Sequence, residues 1–127
     1  MITEDYCSYE VAKLLKEKGF DEYCDNYYDQ SSDEPQQLTL DEMYYSYDEF
    51  IKAPTHQMAM KWLREIHNIC ITIYPDKEKG YEAVLYDIKD DVEILLQSFG
   101  IYGSHIFKDS YKGAIETALK YSLENLI

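Results

Sequence analysis

The feature that most constrains the fold is a change of hydrophobic period near the middle of the chain. Between Thr55 and His67 the apolar residues have helical spacing, in the stripe Met58, Ala59, Trp62, Leu63 and Ile66. After Asn68 the period becomes two, because isoleucines alternate with other residues over 69–74. A turn at 75–80 then leads into a second strand at 81–88. A connection this short cannot make a parallel crossover, so the two strands are predicted to be antiparallel.

Two further helices are predicted at the ends of the chain. The first covers about 8–18, with Ser8 as its N-cap and Gly19 in the left-handed position after its end. The last covers about 110–126. Helices and strands are therefore interspersed, which is typical of an α+β fold. We expect a single domain over 1–127, with a small antiparallel sheet of about three to four strands. This sheet is expected to pack against two long helices, at about 55–67 and 110–126, and the N-terminal helix.

Three segments have patterns that fit more than one structure. Residues 23–28 and 38–40 fit the two strands of a hairpin. Residues 41–50 fit a strand, a short helix or an ordered loop. Residues 92–99 favour a short helix, with a strand over 93–96 as the alternative.

The charge of the chain is uneven. Residues 1–50 contain fourteen acidic residues and three lysines, whereas residues 51–127 contain eleven acidic and nine basic residues. Between 21 and 50 there are ten acidic residues and no lysine or arginine. Such a field opposes direct binding to nucleic-acid phosphates or anionic lipids. A basic protein is the partner that this charge favours.

The cellular location is predicted from features that the sequence lacks. It has no run of about 18 apolar residues, and its first residues lack the basic and apolar regions of a secretory signal. The three cysteines, Cys7, Cys24 and Cys70, have no CxxC spacing, which argues against a disulfide framework. We therefore expect a cytoplasmic protein that does not associate with membranes.

No motif predicts a reaction. His56, His67 and His105 lack metal-ligand spacing, and a capping or surface role is the more frequent one for such residues. The paired carboxylates are explained by the acidic composition alone, and no calcium-loop pattern is present. Gly100 to Gly103 match neither a dinucleotide fingerprint nor a P-loop. We expect no catalytic residue, no metal and no cofactor.

The candidate binding residues are aromatic and acidic. Six of the fourteen tyrosines lie in the stretch that has no positive charge. Aromatic side chains are enriched in interface cores, and carboxylates beside them would attract a basic partner. The alternative is that the rings cover the sheet while the acids keep it soluble. The candidate residues are Tyr23, Tyr27, Tyr28, Asp41, Glu42, Tyr44, Tyr45, Tyr47, Asp48 and Glu49.

Three segments together carry a resemblance to a known family. They are YEVAKLLKEKGFD at 9–21, APTHQMAMKWLREIHNI at 53–69 and YKGAIETALKYSLENLI at 111–127. This combination resembles a family of small uncharacterised proteins of gut-bacterial genomes and their prophages. Lys112 and Gly113 stand where that family usually has acidic residues. The resemblance implies a bacterial cytoplasmic setting and brings no activity with it.

These patterns lead to a ranked set of hypotheses. The first is a non-enzymatic interaction module that uses an acidic, tyrosine-rich surface within 21–50. The second is a mimic of DNA that inhibits a nucleic-acid-binding enzyme, since carboxylates can imitate phosphates. The third is an enzyme that works through carboxylates and a divalent cation. A homodimer that buries the tyrosines is a further alternative.

Overall fold

The computed structural model describes residues 2–29, 37–39, 50–94 and 105–127. The chain is α+β, with three helices and two antiparallel sheets in these ranges. It divides into two compact units, residues 1–58 (unit 1) and 59–127 (unit 2). The expectation of a single domain stays a prediction.

Unit 1 begins with helix α1, Tyr9–Glu17. Ser8 is its N-cap, because the Ser8 hydroxyl accepts a hydrogen bond from the amide of Val11 at 3.2 Å. Gly19 follows the helix with a φ of +93°, the left-handed conformation in which glycine is favoured. The predicted first helix and both of its ends are thereby confirmed.

Three short strands form the sheet of unit 1. They are β1 (Asn26–Asp29), β2 (Gln37–Thr39) and β3 (Phe50–Lys52), in the order β2-β1-β3. Tyr27 lies opposite Leu38 on one side and opposite Lys52 on the other. The predicted hairpin of the 23–28 and 38–40 segments is present, but its first strand begins three residues later, at Asn26. Helix α1 packs against β3.

Backbone pairing also ties the N-terminus of unit 1 to the segment after β3. The amide of Cys7 donates to the carbonyl of Pro54, and the amide of His56 donates to the carbonyl of Asp5, both at 2.9 Å. Helix α2, His56–His67, begins here, and the Thr55 hydroxyl accepts from the amide of Met58 at 3.2 Å. Thr55 is therefore the N-cap of α2.

Unit 2 contains the long hairpin that the sequence predicts. Asn68 alone separates α2 from strand β4 (Ile69–Asp76), and its φ of +58° is left-handed. Strand β5 (Gly80–Asp87) returns antiparallel to β4, with Ile71 opposite Leu85. The predicted inner residues Ile69 and Ile71 are buried, whereas Ile73 is half-buried.

The Asp76 side chain organises the turn of this hairpin. Its Oδ1 accepts hydrogen bonds from the amides of Glu78 and Lys79, at 2.9 and 2.8 Å. These two bonds favour the charged carboxylate and lower the pKa of Asp76 below its usual value. These hydrogen bonds thus stabilise the turn, which is followed by Gly80 at the start of β5.

Two shorter strands complete the second sheet. Strand β6 (Val92–Glu93) and strand β7 (His105–Lys108) both pair with β5, on the side away from β4. The short helix expected over 92–99 is wrong for its first two residues, which form strand β6. The Asp87 carboxylate accepts from the amides of Lys89 and Asp90, and this turn brings Val92 back opposite Asp87. The alternative of a strand that begins at Glu93 was closer.

Helix α3 (Tyr111–Asn125) covers one face of the second sheet. Ser110 is its N-cap, accepting from the amide of Gly113 at 2.9 Å. The helix packs against β4, β5 and β7. Apolar side chains of the helix and of alternate strand positions are buried: Ala83, Leu85, Ile106, Ala114, Ile115, Ala118 and Leu119.

The α+β class and the positions of the helices at about 55–67 and 110–126 are confirmed, but the expected layout of one sheet against two long helices does not match the structure. The described strands form two sheets because β1, β2 and β3 pair with one another and not with β4 or β5. The helices α2 and α3 have 12 and 15 residues, so they are of ordinary length. Helix α3 lies against three strands of the second sheet, β4, β5 and β7.

Candidate functional site

The described part of the acidic, tyrosine-rich stretch begins with an exposed tyrosine. Tyr23 lies between α1 and β1 and is 68% exposed. Asp21, Glu22 and Asp25, which surround it in the chain, are exposed as well. An aromatic ring with three carboxylates beside it on the surface is what the sequence predicts for a binding residue.

Tyr27 and Tyr28 have structural roles in strand β1. Tyr27 is buried, and Tyr28 is half-buried. The hydroxyl of Tyr28 donates to the carbonyl of Cys7 at 2.7 Å, and its ring meets that of Tyr9 edge-on, with centroids 5.6 Å apart. These two rings stabilise unit 1, which is the alternative that the sequence left open for them.

The other seven candidate residues lie outside the described residues. They therefore stay predictions. They are Asp41, Glu42, Tyr44, Tyr45, Tyr47, Asp48 and Glu49.

A cavity within unit 1 was not predicted from the sequence. It has a volume of about 440 Å³ and is lined by residues of α1, β1, β3 and the connection after α1. Four of the lining residues are apolar or aromatic, and three are charged. They are Ala12, Phe20, Tyr27, Phe50, Lys16, Asp21 and Lys52.

An ion pair lies at this cavity. The Lys52 ammonium is 3.0 Å from Oδ1 of Asp21, and their side chains are 30% and 93% exposed. A pair this accessible contributes little to stability, at most about 1 kcal/mol. The only hint in the sequence was that Lys52 is the first cation after the stretch of ten acidic residues.

Cys24 lies next to the exposed acidic segment but is itself buried. Burial raises the pKa of its thiol from 9.0 to about 11, and the charge of Lys52 opposes this increase only in part. The thiol is thus protonated at neutral pH, and a protonated thiol is a poor nucleophile. Cys24 has the properties of a core residue.

His105 of unit 2 contacts two carboxylates. Its Nδ1 contacts Oε1 of Glu82, and its Nε2 lies 2.5 Å from Oε1 of Glu93. This cluster was not predicted from the sequence, because strand β7 was not predicted. The carboxylates meet opposite nitrogens of the ring, so the three side chains cannot converge on one metal ion. Both contacts are hydrogen bonds together only if the ring carries two protons or a carboxyl carries one.

The other two histidines, His56 and His67, do not lie exposed at the surface. His56 is buried at the first position of α2. His67 is half-buried in the last turn, with its ring 4.7 Å from that of Trp62. Its Nε2 is buried without a hydrogen-bond partner. Both histidines are integrated into the packing around α2.

The described ranges contain neither a metal-type cluster nor a spanning helix. Within 2–29, 37–39, 50–94 and 105–127, no group of three or more His, Cys, Asp or Glu side chains is arranged to hold a metal ion. In the same ranges, no helix has the length and apolar character needed to cross a membrane.

Comparison with protein-family models, with curated proteins and with solved structures found no match to this chain. The resemblance to small prophage proteins therefore stays a prediction.

Proposed function

We propose that the protein is a non-enzymatic interaction module that binds a basic protein partner through its acidic, tyrosine-containing surface. The observation that carries the proposal is Tyr23, which is 68% exposed and has exposed carboxylates at Asp21, Glu22 and Asp25. Large exposed aromatic side chains supply much of the binding energy of protein interfaces. The carboxylates would speed the approach of a basic surface.

The proposed setting is the cytoplasm of a bacterium, with a prophage as the source of the gene. This setting rests on the resemblance of three segments and on the three cysteines without disulfide spacing. The partner would then be a bacterial protein with a cationic surface. Binding would weaken as salt screens the charges.

Photo-crosslinking tests the surface directly. A photoreactive residue is placed at Tyr23 and, as a control, at Tyr74, which is 52% exposed in unit 2. Bacterial lysate is added at low and at high salt, and the crosslinked proteins are identified. We expect a basic protein that is crosslinked from position 23, not from position 74, and only at low salt.

The partner is then purified and its affinity is measured by calorimetry. Tyr23→Ala is expected to weaken binding roughly tenfold, in keeping with the loss of an interface aromatic, and Tyr74→Ala is expected to have no effect. The triple variant Tyr44→Ala/Tyr45→Ala/Tyr47→Ala extends the test to the remaining tyrosines. A partner that tolerates all of these changes would refute the proposal, as would the absence of any partner.

A matched pair of charge variants separates local attraction from total charge. One variant neutralises three carboxylates around Tyr23, and the other neutralises three exposed carboxylates of unit 2. We expect only the first to slow association. The first is Asp21→Asn/Glu22→Gln/Asp25→Asn, and the second is Glu65→Gln/Glu78→Gln/Asp90→Asn.

A further inference from the structure

We propose that the cavity of unit 1 binds a small amphipathic carboxylate, with its apolar part inside and its negative charge on Lys16 and Lys52. This is a site for a small molecule and is independent of the proposed protein partner. The proposal rests on the shape of the cavity, on its lining and on the placement of these two lysines.

The walls of the cavity suit an apolar group of limited size. Phe20 and Tyr27 are both buried, Phe50 is half-buried, and Ala12 contributes a small side chain. A volume of about 440 Å³ lies within the range of small-molecule sites in proteins. Aromatic walls with a few charged groups at one side are the usual composition of such sites.

Lys52 is held beside these aromatic walls by the register of the sheet. It lies directly opposite Tyr27 in the β1–β3 pair, and cross-strand neighbours of this kind have their side chains on the same face. Its side chain is 30% exposed, whereas that of its partner Asp21 is 93% exposed. Because Asp21 extends into solvent, it can swing away and be replaced by the carboxylate of a ligand.

Lys16 supplies a second cation from helix α1. Its ammonium has no ion pair within the part of the chain that the structure describes. Lys16 and Lys52 come from different elements and line the same cavity. Two ammonium groups and one carboxylate line the cavity, and the net positive charge that results favours an anion, although the chain as a whole has a formal charge of −13.

The first experiment compares three probes that share one ring system. They are 2-naphthoate, the neutral 2-naphthamide and the cationic 2-naphthylmethylamine, each titrated into the full chain by calorimetry and by two-dimensional NMR. We expect 2-naphthoate to bind with a Kd below about 1 mM, and the amide and the amine to bind at least about tenfold more weakly. The shifted NMR signals should include those of Phe20, Tyr27 and Phe50.

Three single substitutions test the role of the lysines. Lys16→Gln and Lys52→Gln are each expected to weaken 2-naphthoate roughly tenfold, through loss of a charge-assisted hydrogen bond. Lys13→Gln is the matched control, because Lys13 is an exposed lysine of the same helix that does not line the cavity. Circular dichroism checks that all three variants are folded.

Asp21→Asn gives a result that separates this proposal from the preceding one. Removal of the competing carboxylate is expected to tighten 2-naphthoate, by up to about fivefold, whereas the same change would weaken a basic partner. Equal binding of the three probes would overturn the proposal. Equal effects of Lys13→Gln and Lys52→Gln, or the absence of saturable binding, would overturn it as well.

Discussion

The two units organise their sheets in different ways. In unit 2, two strands of eight residues pair along their full length, and α3 covers three strands of the sheet. In unit 1 the strands have three or four residues, and backbone pairing of residues 5–7 with 54–56 adds to them. Tyr23 with its neighbouring carboxylates and the charged cavity both belong to unit 1. Unit 2 is thus the more regular of the two in its strand pairing, and unit 1 contains both of the proposed binding sites.

The test with the largest expected effect on the comparison of the two units shortens one buried leucine side chain in each unit. Leu15 of α1 and Leu119 of α3 are both fully buried. Leu15→Ala and Leu119→Ala are each expected to lower the free energy of unfolding by about 2 to 5 kcal/mol. Urea unfolding followed by circular dichroism and by Trp62 fluorescence measures both variants.

The same experiment tests the prediction of a single domain. One cooperative unit gives coincident transitions with both probes, and each truncation then shifts the whole curve. If Leu15→Ala creates a separate early transition that leaves Trp62 fluorescence unchanged, the two units unfold independently and the prediction is wrong.

A second test uses one left-handed glycine from each unit. Gly80 has a φ of +92°, and a Cβ there would lie 2.5 Å from the carbonyl oxygen of Lys108. Gly19 has almost the same φ, but a Cβ there would meet no atom within 4 Å. We expect Gly80→Ala to cost about 2 to 4 kcal/mol and Gly19→Ala only about 1 kcal/mol. Equal losses in urea unfolding would mean that the close approach of the hairpin turn to Lys108 does not matter.

A third test, of smaller expected effect, follows the pH dependence of unit 1. The Cys24 thiol has a pKa of about 11 in the folded chain and 9.0 as its ordinary value. Because the folded pKa is the higher one, the stabilisation is complete below pH 9 and is lost as pH rises toward 11. The loss amounts to about 2 kcal/mol by pH 11. It is measured as the difference in pH dependence between the unaltered chain and Cys24→Ala, and parallel curves from pH 8 to 11 would contradict it.

The sequence predicted unit 2 better than unit 1, and strand length is the reason. Strand β4 is long enough for Ile69, Ile71 and Ile73 to reveal a period of two. A strand of three residues, such as β3, is too short to show an alternation of apolar and polar residues. Its position is set by pairing with β1. Strand β7 was missed for the same reason, and the His105 cluster was missed with it.

The residues of the candidate site could be predicted only where a tyrosine among acidic residues is in fact exposed. Tyr23 is exposed among acids, as expected, but Tyr27 in the same stretch is buried. Burial of Tyr27 depends on β1 being the central strand of its sheet, and a list of residue types does not contain that information. The cavity was beyond prediction because its lining comes from separate elements of the chain.

The one-residue connection at Asn68 limits where residues can be inserted or deleted in this chain, in evolution or by design. One residue connects α2 to β4, and it already has a left-handed backbone. Because successive strand residues point to opposite faces, a one-residue insertion or deletion there would turn Ile69 and Ile71 outward and bring Cys70 and Thr72 inward. The choice of which β4 side chains face the core thus depends on this single connecting residue.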